Sequence, residues 1–248
     1  MSEEDGSAPL RRTPLTRAPR PKRFYKSVSI VAVKAGHALH LDGRPAKTPG
    51  GALLTLQKER LARRVAAEWA AQGSEIDATS MPVTRLANVA IDAIDGHAEA
   101  VRADIVKYAG SDLVCYRADG PARLIARQAQ MWDPVLAFAE RQLGARFSPQ
   151  TGIVFKAQPE AAIMAVRRAV CAVRGLELAA LHSLTTLCGS ALIALAVARG
   201  AMAATQAVEA AHVDEDWNRD LWGADEEALA ARAHRARDIL AAGDIFLP

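Results

Sequence analysis

The run from Leu178 to Ala198 carries no Asp, Glu, Lys or Arg, and no other stretch constrains the fold as much. Its length reaches the ~20 residues that a bilayer-spanning helix needs. Its polarity argues the other way, because His182, Ser183, Thr185, Thr186, Gly189 and Ser190 interrupt it. A helix that is apolar nearly all round, yet dotted with small and hydroxylated residues, belongs at the centre of a soluble helical bundle. The chain is therefore expected to wrap other helices around this one and to have no membrane segment. Half of its 248 residues are hydrophobic but only 5% are aromatic. Such a core is built from Ala, Leu and Val, a composition that favours close-packed helices.

Start and stop signals place the other helices. Leu61, Val65 and Trp69 form one stripe on a helix over Lys58–Gln72, stopped by Gly73. Pro82 opens a helix over Val83–Ile94, since a first-turn proline removes an N–H that would be unpaired anyway. Glu99–Ala109 follows, ending at Gly110. Pro121 opens a long helix to Leu143, with Ile125, Ala129, Trp132, Leu136, Ala139 and Leu143 as its inward stripe and Pro134 expected to kink or split it. A helix from Pro159 to Val173 ends at Gly175. The last pair is Met202–Trp222 and Asp225–Ala241, the latter with Leu229, Ala233, Ala236 and Leu240 on one face. Ile245-Phe246-Leu247 is an apolar end that should dock back on the body.

Ahead of the helices, short β-branched segments alternate with turns. Ser27–Val33 and Ala38–Leu41 flank Lys34-Ala35-Gly36, a hairpin pattern. Asp42-Gly43 marks a second tight turn, and Arg44–Thr48 and Leu53–Leu56 are candidate third and fourth strands. The fold class expected is α+β: a small antiparallel sheet with helices at the amino terminus, then an all-helical, orthogonal bundle-like domain. Residues 1–22, proline-rich with both signs of charge and no apolar run, read as a disordered tail and not as a secretory signal. Residues 23–100 form the α+β domain and 101–248 the helical domain, the boundary falling between about Asp95 and Tyr116.

Several function classes are excluded. Net charge is +3, and part of the positive charge sits in Arg11, Arg12, Arg17, Arg20, Lys22 and Arg23. The body is near neutral, so no nucleic-acid partner is expected. Cys115, Cys171 and Cys188 are odd in number and widely spaced, which fits free, mostly buried thiols in a reducing compartment. There is no Walker loop, GxGxxG, HExxH or GxSxG, so neither catalytic residues nor a cofactor are expected. His182 and Cys188 lie on different helix faces, too badly placed for a catalytic dyad. His212 and Asp216 share a face at i, i+4 but lack a third ligand, so no metal is expected.

Val208–Gly223, VEAAHVDEDWNRDLWG, gathers acids, a His and two Trp on what reads as one helix. At ~100° per residue, Val213, Trp217, Asp220 and Leu221 share one side. Val208, Ala211, Glu215, Arg219 and Trp222 share nearly the opposite one. If the Trp217 side is core, Glu215 and Trp222 are left to face outward, with Arg219 able to pair with Glu215 at i, i+4.

Four further runs, RFYK at Arg23–Lys26, LDGRPAKTP at Leu41–Pro49, EWAAQ at Glu68–Gln72 and MPVTRLANVAID at Met81–Asp92, occur in an order that resembles one family. It is the family of assembly chaperones for the catalytic head, F1, of the F-type ATP synthase. The resemblance runs from Arg23 to the end of the chain. It implies a non-enzymatic protein, monomeric when free, that binds the free alpha subunit and shields its subunit interface until the head is assembled. It also implies a cytoplasmic location in a bacterium, or the mitochondrial matrix in a eukaryote. In that family an acidic residue shortly before the Trp-Gly pair matters for function. The matching positions are Glu215 and Asp216, with Glu215 preferred, and Asn218 stands where the family leads one to expect Gln. The partner-binding set is thus Glu215, Asp216, Arg219 and Trp222. Two other readings compete: a small metal-dependent enzyme using His212, Glu215 and Asp216, and a scaffold domain with another partner.

Overall fold

Alternating β-branched residues and two tight turns form the first part of the protein. The computed structural model describes residues 19–248. Most of the expected tail, residues 1–18, lies outside the described residues. Residues 20–22 are not loose as that reading had them: Lys22 bridges Glu75, Pro21 accepts the Ile76 N–H, and Arg20 pairs with Asp77.

Strand β1 (Val28–Val33) pairs antiparallel with β2 (Gly36–Leu41), from Val33 opposite Gly36 to Val28 opposite Leu41. Asp42 (φ 49°) and Gly43 (φ 77°) are both left-handed, the turn geometry that matches strand twist. The turn leads to β3 (Arg44–Pro45), and β4 (Thr55–Leu56) pairs with the other end of β2. The third and fourth strands are shorter than expected. Helix α1 (Glu59–Ala70) covers one face through Leu61, Ala62 and Val65.

Hydrogen bonds tie the four signature runs together. Asp42 accepts from the N–H groups of Lys26 and Ser27 at 3.0 and 2.7 Å. The Tyr25 hydroxyl donates to the Trp69 carbonyl at 2.7 Å. Glu68 accepts from the Val83 and Thr84 N–H groups at 2.9 and 2.8 Å, capping helix α2 (Pro82–Val89) where four N–H groups lack intrahelical partners. Asp92 takes the Thr48 hydroxyl and the Gly50 N–H at 2.5 and 2.8 Å. A Cβ at Gly50 would lie 2.6 Å from the Asp92 carboxylate, so this approach requires glycine.

A wide turn over Ala90–Ile94 carries α2 directly into α3 (Asp95–Gly110) and keeps the backbone hydrogen-bonded between the two helices. The division at residues 100 and 101 falls inside α3, and the two-unit organisation remains a proposal. Arg60 and Arg64 pair with Asp244, and Arg85 with Asp238, at 2.6–3.0 Å, fastening the first 100 residues to the last helix. A short parallel pair, β5 (Tyr116–Arg117) with β6 (Gln150–Thr151), leads into and out of helix α4 (Ala122–Phe138).

Helix α4 runs through Pro134 unsplit and continues as a wide turn over Ala139–Leu143. Its buried face is Gln128, Trp132, Val135, Phe138 and Ala139, with Ile125 exposed. The expected stripe is thus rotated in part: Trp132 and Ala139 are buried and Leu136 and Leu143 are half-buried against the core, but Gln128, Val135 and Phe138 are not in it. Two adjacent rows of a helix both satisfy a 3.6 period, and the partner chooses between them. Helix α5 (Glu160–Val170) ends before Gly175, which opens the next helix with a left-handed φ of 48°.

The uncharged run is the centre of the bundle, but as two helices. Helix α6 (Gly175–Cys188) ends at Gly189 (φ 63°), and Ser190 caps α7 (Ala191–Ala198) by accepting the Ile193 N–H at 3.0 Å. Leu178, Leu181, Leu184, Leu192 and Ile193 have no exposed surface. Among the described residues no helix is long and apolar enough to cross a membrane. Met202–Trp222 is likewise two helices, α8 (Ala204–Ala211) and α9 (Val213–Trp222), broken at His212. In α10 (Glu226–Asp244) the buried residues are Ile239, Ala241, Ala242 and Gly243, while Leu229 and Leu240 of the expected stripe are exposed. Its arginines reach across to α9, and that pairing sets its rotation. Ile245 is fully buried and Phe246 half-buried, so the apolar end does dock.

One buried charge holds the central break. Asp112 follows α3, has no exposed surface, and accepts the Leu192 N–H at 3.0 Å and the Val114 N–H at 3.3 Å. Burial outweighs these bonds and pushes its carboxyl up to about 6, against about 3.9 in an unfolded chain. The native state therefore holds the proton more tightly. This group's contribution to stability is full below about pH 4 and is lost as pH rises to about 6, an effect of about 3 kcal/mol. Asp112→Asn removes that titration. Urea denaturation at pH 4 and pH 7 is expected to show the wild type losing stability relative to the variant as pH rises.

Candidate partner-binding site

The break at His212 builds this site. The imidazole is completely buried. Its Nδ1–H donates to the Val208 carbonyl at 2.6 Å, which leaves Nε2 without a hydrogen-bond partner among the described residues, 3.8 Å from a Glu215 oxygen. The turn that follows is acidic: Asp214, Glu215 and Asp216 open α9, where the helix dipole favours negative charge.

Each of these acids has a partner on a neighbouring helix. Asp214 accepts from the Gln128 amide of α4 at 2.7 Å. Glu215 pairs with Arg235 of α10 at 2.7 Å. Asp216 takes Arg232 of α10 through two bonds, from Nε at 2.7 Å and Nη2 at 2.6 Å, and Arg219 through a third at 2.7 Å. Asp220 pairs with Arg127 at 2.9 Å. The hydrogen bond to Asp216 holds the Arg232 guanidinium above its usual range, and the bond from Arg127 holds the Asp220 carboxyl below its own. What reads in the sequence as an acidic cluster is an ion-paired ring that fastens α9 to α4 and α10. Two-point Arg–carboxylate pairing fixes angle as well as distance.

The four expected site residues divide by exposure. Asp216 is 6% exposed and acts as the anchor. Arg219 bonds Asp216 at i, i+3 and not Glu215 as expected, because Arg235 already occupies Glu215. Glu215 keeps 55% of its side chain in solvent. Trp222 is 83% exposed and Leu221 beside it 55%, both at the end of α9 before Gly223 (φ 77°). Val213 is buried and Trp217 half-buried, as the helical wheel has it, but Leu221 is not on a covered side. Val208 and Ala211 belong to a different helix.

The other sequence candidates separate. Both Asp216 oxygens are held by arginines and His212 Nδ1 by backbone, which leaves His212 Nε2 as the one unengaged ligand atom of this pair among the described residues. Among the described residues no group of three or more His, Cys, Asp or Glu is placed to hold a metal. His182 bonds Asp104 at 2.8 Å and is partly exposed, with no contact to Cys188 among its hydrogen bonds. Burial pushes the Cys115 and Cys188 thiols up to about 12, while Cys171 is exposed. Sequence reasoning missed Arg232, Arg235, Arg127 and Gln128 as site residues. The only signal was the i, i+3 spacing of Arg232 and Arg235, which says that both lie on one side of α10 and nothing of what they face.

Comparison with known proteins places this geometry in a family. The model of the ATP12 chaperone protein family matches residues 22–140. The solved structure of Atp12 from Paracoccus denitrificans is 38% identical, with a TM-score of 0.83 over 91% of this chain and 97% of that one. The chain belongs to the ATP12 chaperone family. An Agrobacterium tumefaciens protein described as a candidate chaperone is 43% identical, with a TM-score of 0.86 over 91% of this chain and 85% of its own. The mitochondrial atp12 protein of Schizosaccharomyces pombe is 22% identical over 219 residues, 84% of this chain and 75% of that protein. The resemblance to the F1 assembly chaperones carried by the four runs is thereby confirmed. All four runs lie within or at the edge of the matched segment, whereas α9 lies beyond it, so the reading of α9 rests on its geometry.

The ring predicts a split between neighbouring acids. Asp216→Lys leaves three cations facing one another at a buried point and is expected to cost roughly 3 kcal/mol or more. Glu215→Lys, at an exposed pair, is expected to change stability by at most about 1 kcal/mol. Thermal or urea unfolding of the two variants beside the wild type tests this, and equal losses would refute the anchor role of Asp216.

Proposed function

We propose that this ATP12 chain is a non-enzymatic assembly chaperone that binds the free alpha subunit of F1 and covers its subunit interface until the head is assembled. Family membership supports the chaperone role. The observation that carries the surface is Trp222, a large aromatic side chain 83% in solvent beside an exposed Leu221, on a helix whose other side is locked by the Asp216 ring. Aromatic anchors on rigid supports dominate protein interfaces. Glu215 sets register beside them, because a half-exposed carboxylate at the rim of an apolar contact selects partners more than it adds affinity. Asp216 and Arg219 complete the site by fixing the angle of the helix.

A subunit interface left bare in a free alpha subunit is an aggregation hazard, and covering it needs a surface rather than a reaction. The setting that fits is the cytoplasm of a bacterium or the matrix of a mitochondrion, wherever the alpha subunit is assembled. The metal-dependent enzyme reading has only one unengaged buried atom to rest on, His212 Nε2, because the Asp216 carboxylate is already held by Arg219 and Arg232.

Co-purification tests the proposal. Wild-type chain and alpha subunit are expected to form a stoichiometric complex. Glu215→Lys and Trp222→Ala are expected to keep their unfolding midpoints and lose most of it. Retention of the full complex by both variants would remove α9 from the interface.

A further inference from the structure

The signature runs contain more than the fold uses. Arg23, Asp42, Thr48, Glu68, Gln72 and Asp92 are all hydrogen-bonded within the protein. Arg44 and Lys47 are exposed, and among the described residues neither side chain has a hydrogen-bond or ion-pair partner. Phe24 is 71% exposed, although Tyr25 beside it is buried at 4%. These three leftovers are not scattered. They border one cleft of about 530 Å³, whose walls also include Tyr25, Pro45 and Trp69, a size that suits a ligand or an inserted peptide segment.

The chemistry of the walls specifies an occupant. Phe24, Tyr25, Pro45 and Trp69 offer aromatic and proline surface for an apolar side chain. Arg44 and Lys47 add two unpaired cations. Asp42 lies on the same wall, and the N–H groups of Ser27 and Lys26 hold its carboxyl below the usual range. A fixed negative charge there tolerates one incoming carboxylate between two cations but opposes a polyphosphate. A small carboxylate in the cleft would still leave the Phe24 ring in water, whereas a protein segment would cover it.

We infer that this cleft is a second contact for the client, taking an extended segment in which an apolar side chain stands next to an Asp or Glu. The inference rests on the client reading given above for α9. It adds a grip on the sheet end of the molecule, carried by residues different from Glu215 and Trp222. Two weak contacts on one partner bind far more tightly than either alone.

Titration of labelled, isolated F1 alpha subunit with the full-length chain, read by fluorescence anisotropy at low and moderate salt, tests it. The double variant Arg44→Glu, Lys47→Glu is expected to weaken binding roughly tenfold or more and to flatten its salt dependence. Phe24→Ser is expected to weaken binding without changing the salt dependence. The exchange Arg44→Lys, Lys47→Arg keeps the charge and is expected to keep the affinity. The unfolding midpoint of the double variant should stay at the wild-type value, because Arg44 and Lys47 have no side-chain partner among the described residues to lose, while Phe24→Ser gives up only the edge-on contact with Tyr25 at 5.3 Å. Wild-type affinity and salt slope in the double variant would overturn the inference while leaving the α9 proposal standing. Failure of the wild-type chain to bind the alpha subunit would overturn both. Stabilisation of the free chain by millimolar ATP, abolished in the double variant, would assign the cleft to a nucleotide and overturn the inference as well.

Discussion

The bond between the buried Asp112 carboxylate and the first turn of α7 organises the molecule. The uncharged run can make one long apolar helix or two short ones, and its side chains alone do not choose. Gly189 permits the bend and Ser190 caps one N–H, but the new helix start still presents donors to a dry interior. Asp112 supplies the acceptor at the Leu192 N–H, from the far side of the core, directly after α3. Its position joins the end of the α2–α3 rod to the central hairpin, so the break also sets how the first half of the chain meets the second. An unmet donor there would cost the full desolvation of an N–H, which is why a carboxylate persists where burial opposes its charge.

Carboxylates receive helix starts elsewhere too, at a covered start in α2 and at an exposed one in α10. Glu68 receives the start of α2, Asp225 accepts the Ala228 N–H at the start of α10, and the acids of α9 lie in its own first turn. At α9 the device also serves the surface. Carboxylates that favour the helix dipole are simultaneously the partners of Gln128, Arg232 and Arg235 on two neighbouring helices. Local helix stability and tertiary docking therefore come from the same atoms. That leaves the far end of the helix, Leu221 and Trp222, with no structural duty.

Fold class and the central position of the uncharged run were legible because they depend on composition and period alone. The hairpin and the Asp42-Gly43 turn were legible because turn chemistry is local. The rotation of α1 was legible from Leu61 and Val65, but that of α10 was not. In α10 the row Leu229, Ala233, Ala236 and Leu240 has the better hydrophobic spacing, yet Arg232 and Arg235 turn the helix to reach Asp216 and Glu215. The breaks at Gly189 and His212 were missed for a related reason. Each is stabilised by a distant group or a backbone carbonyl, and a glycine or histidine inside an apolar stretch does not announce that. At the site, the exposed Glu215 and Trp222 emerged from the helical wheel even though the helix began later than assumed. The partner of Arg219 did not emerge, because it depended on Arg235 occupying Glu215 first.

Taken as the client contact proposed above, α9 bears on how a protein surface can be selective. An exposed Trp on a flexible segment would lose conformational entropy on binding and would attach to any apolar patch. On α9 the ring of arginines removes that freedom before the partner arrives, so little further ordering is needed. Glu215 is held by Arg235 at the edge of the same face, where a wrongly charged partner meets repulsion rather than mere absence of attraction. In that proposed contact, rigid apolar surface would supply hold and the fixed carboxylate choice. Separating the two roles onto adjacent residues, Asp216 turned inward and Glu215 outward, lets one short helix be both well anchored and discriminating.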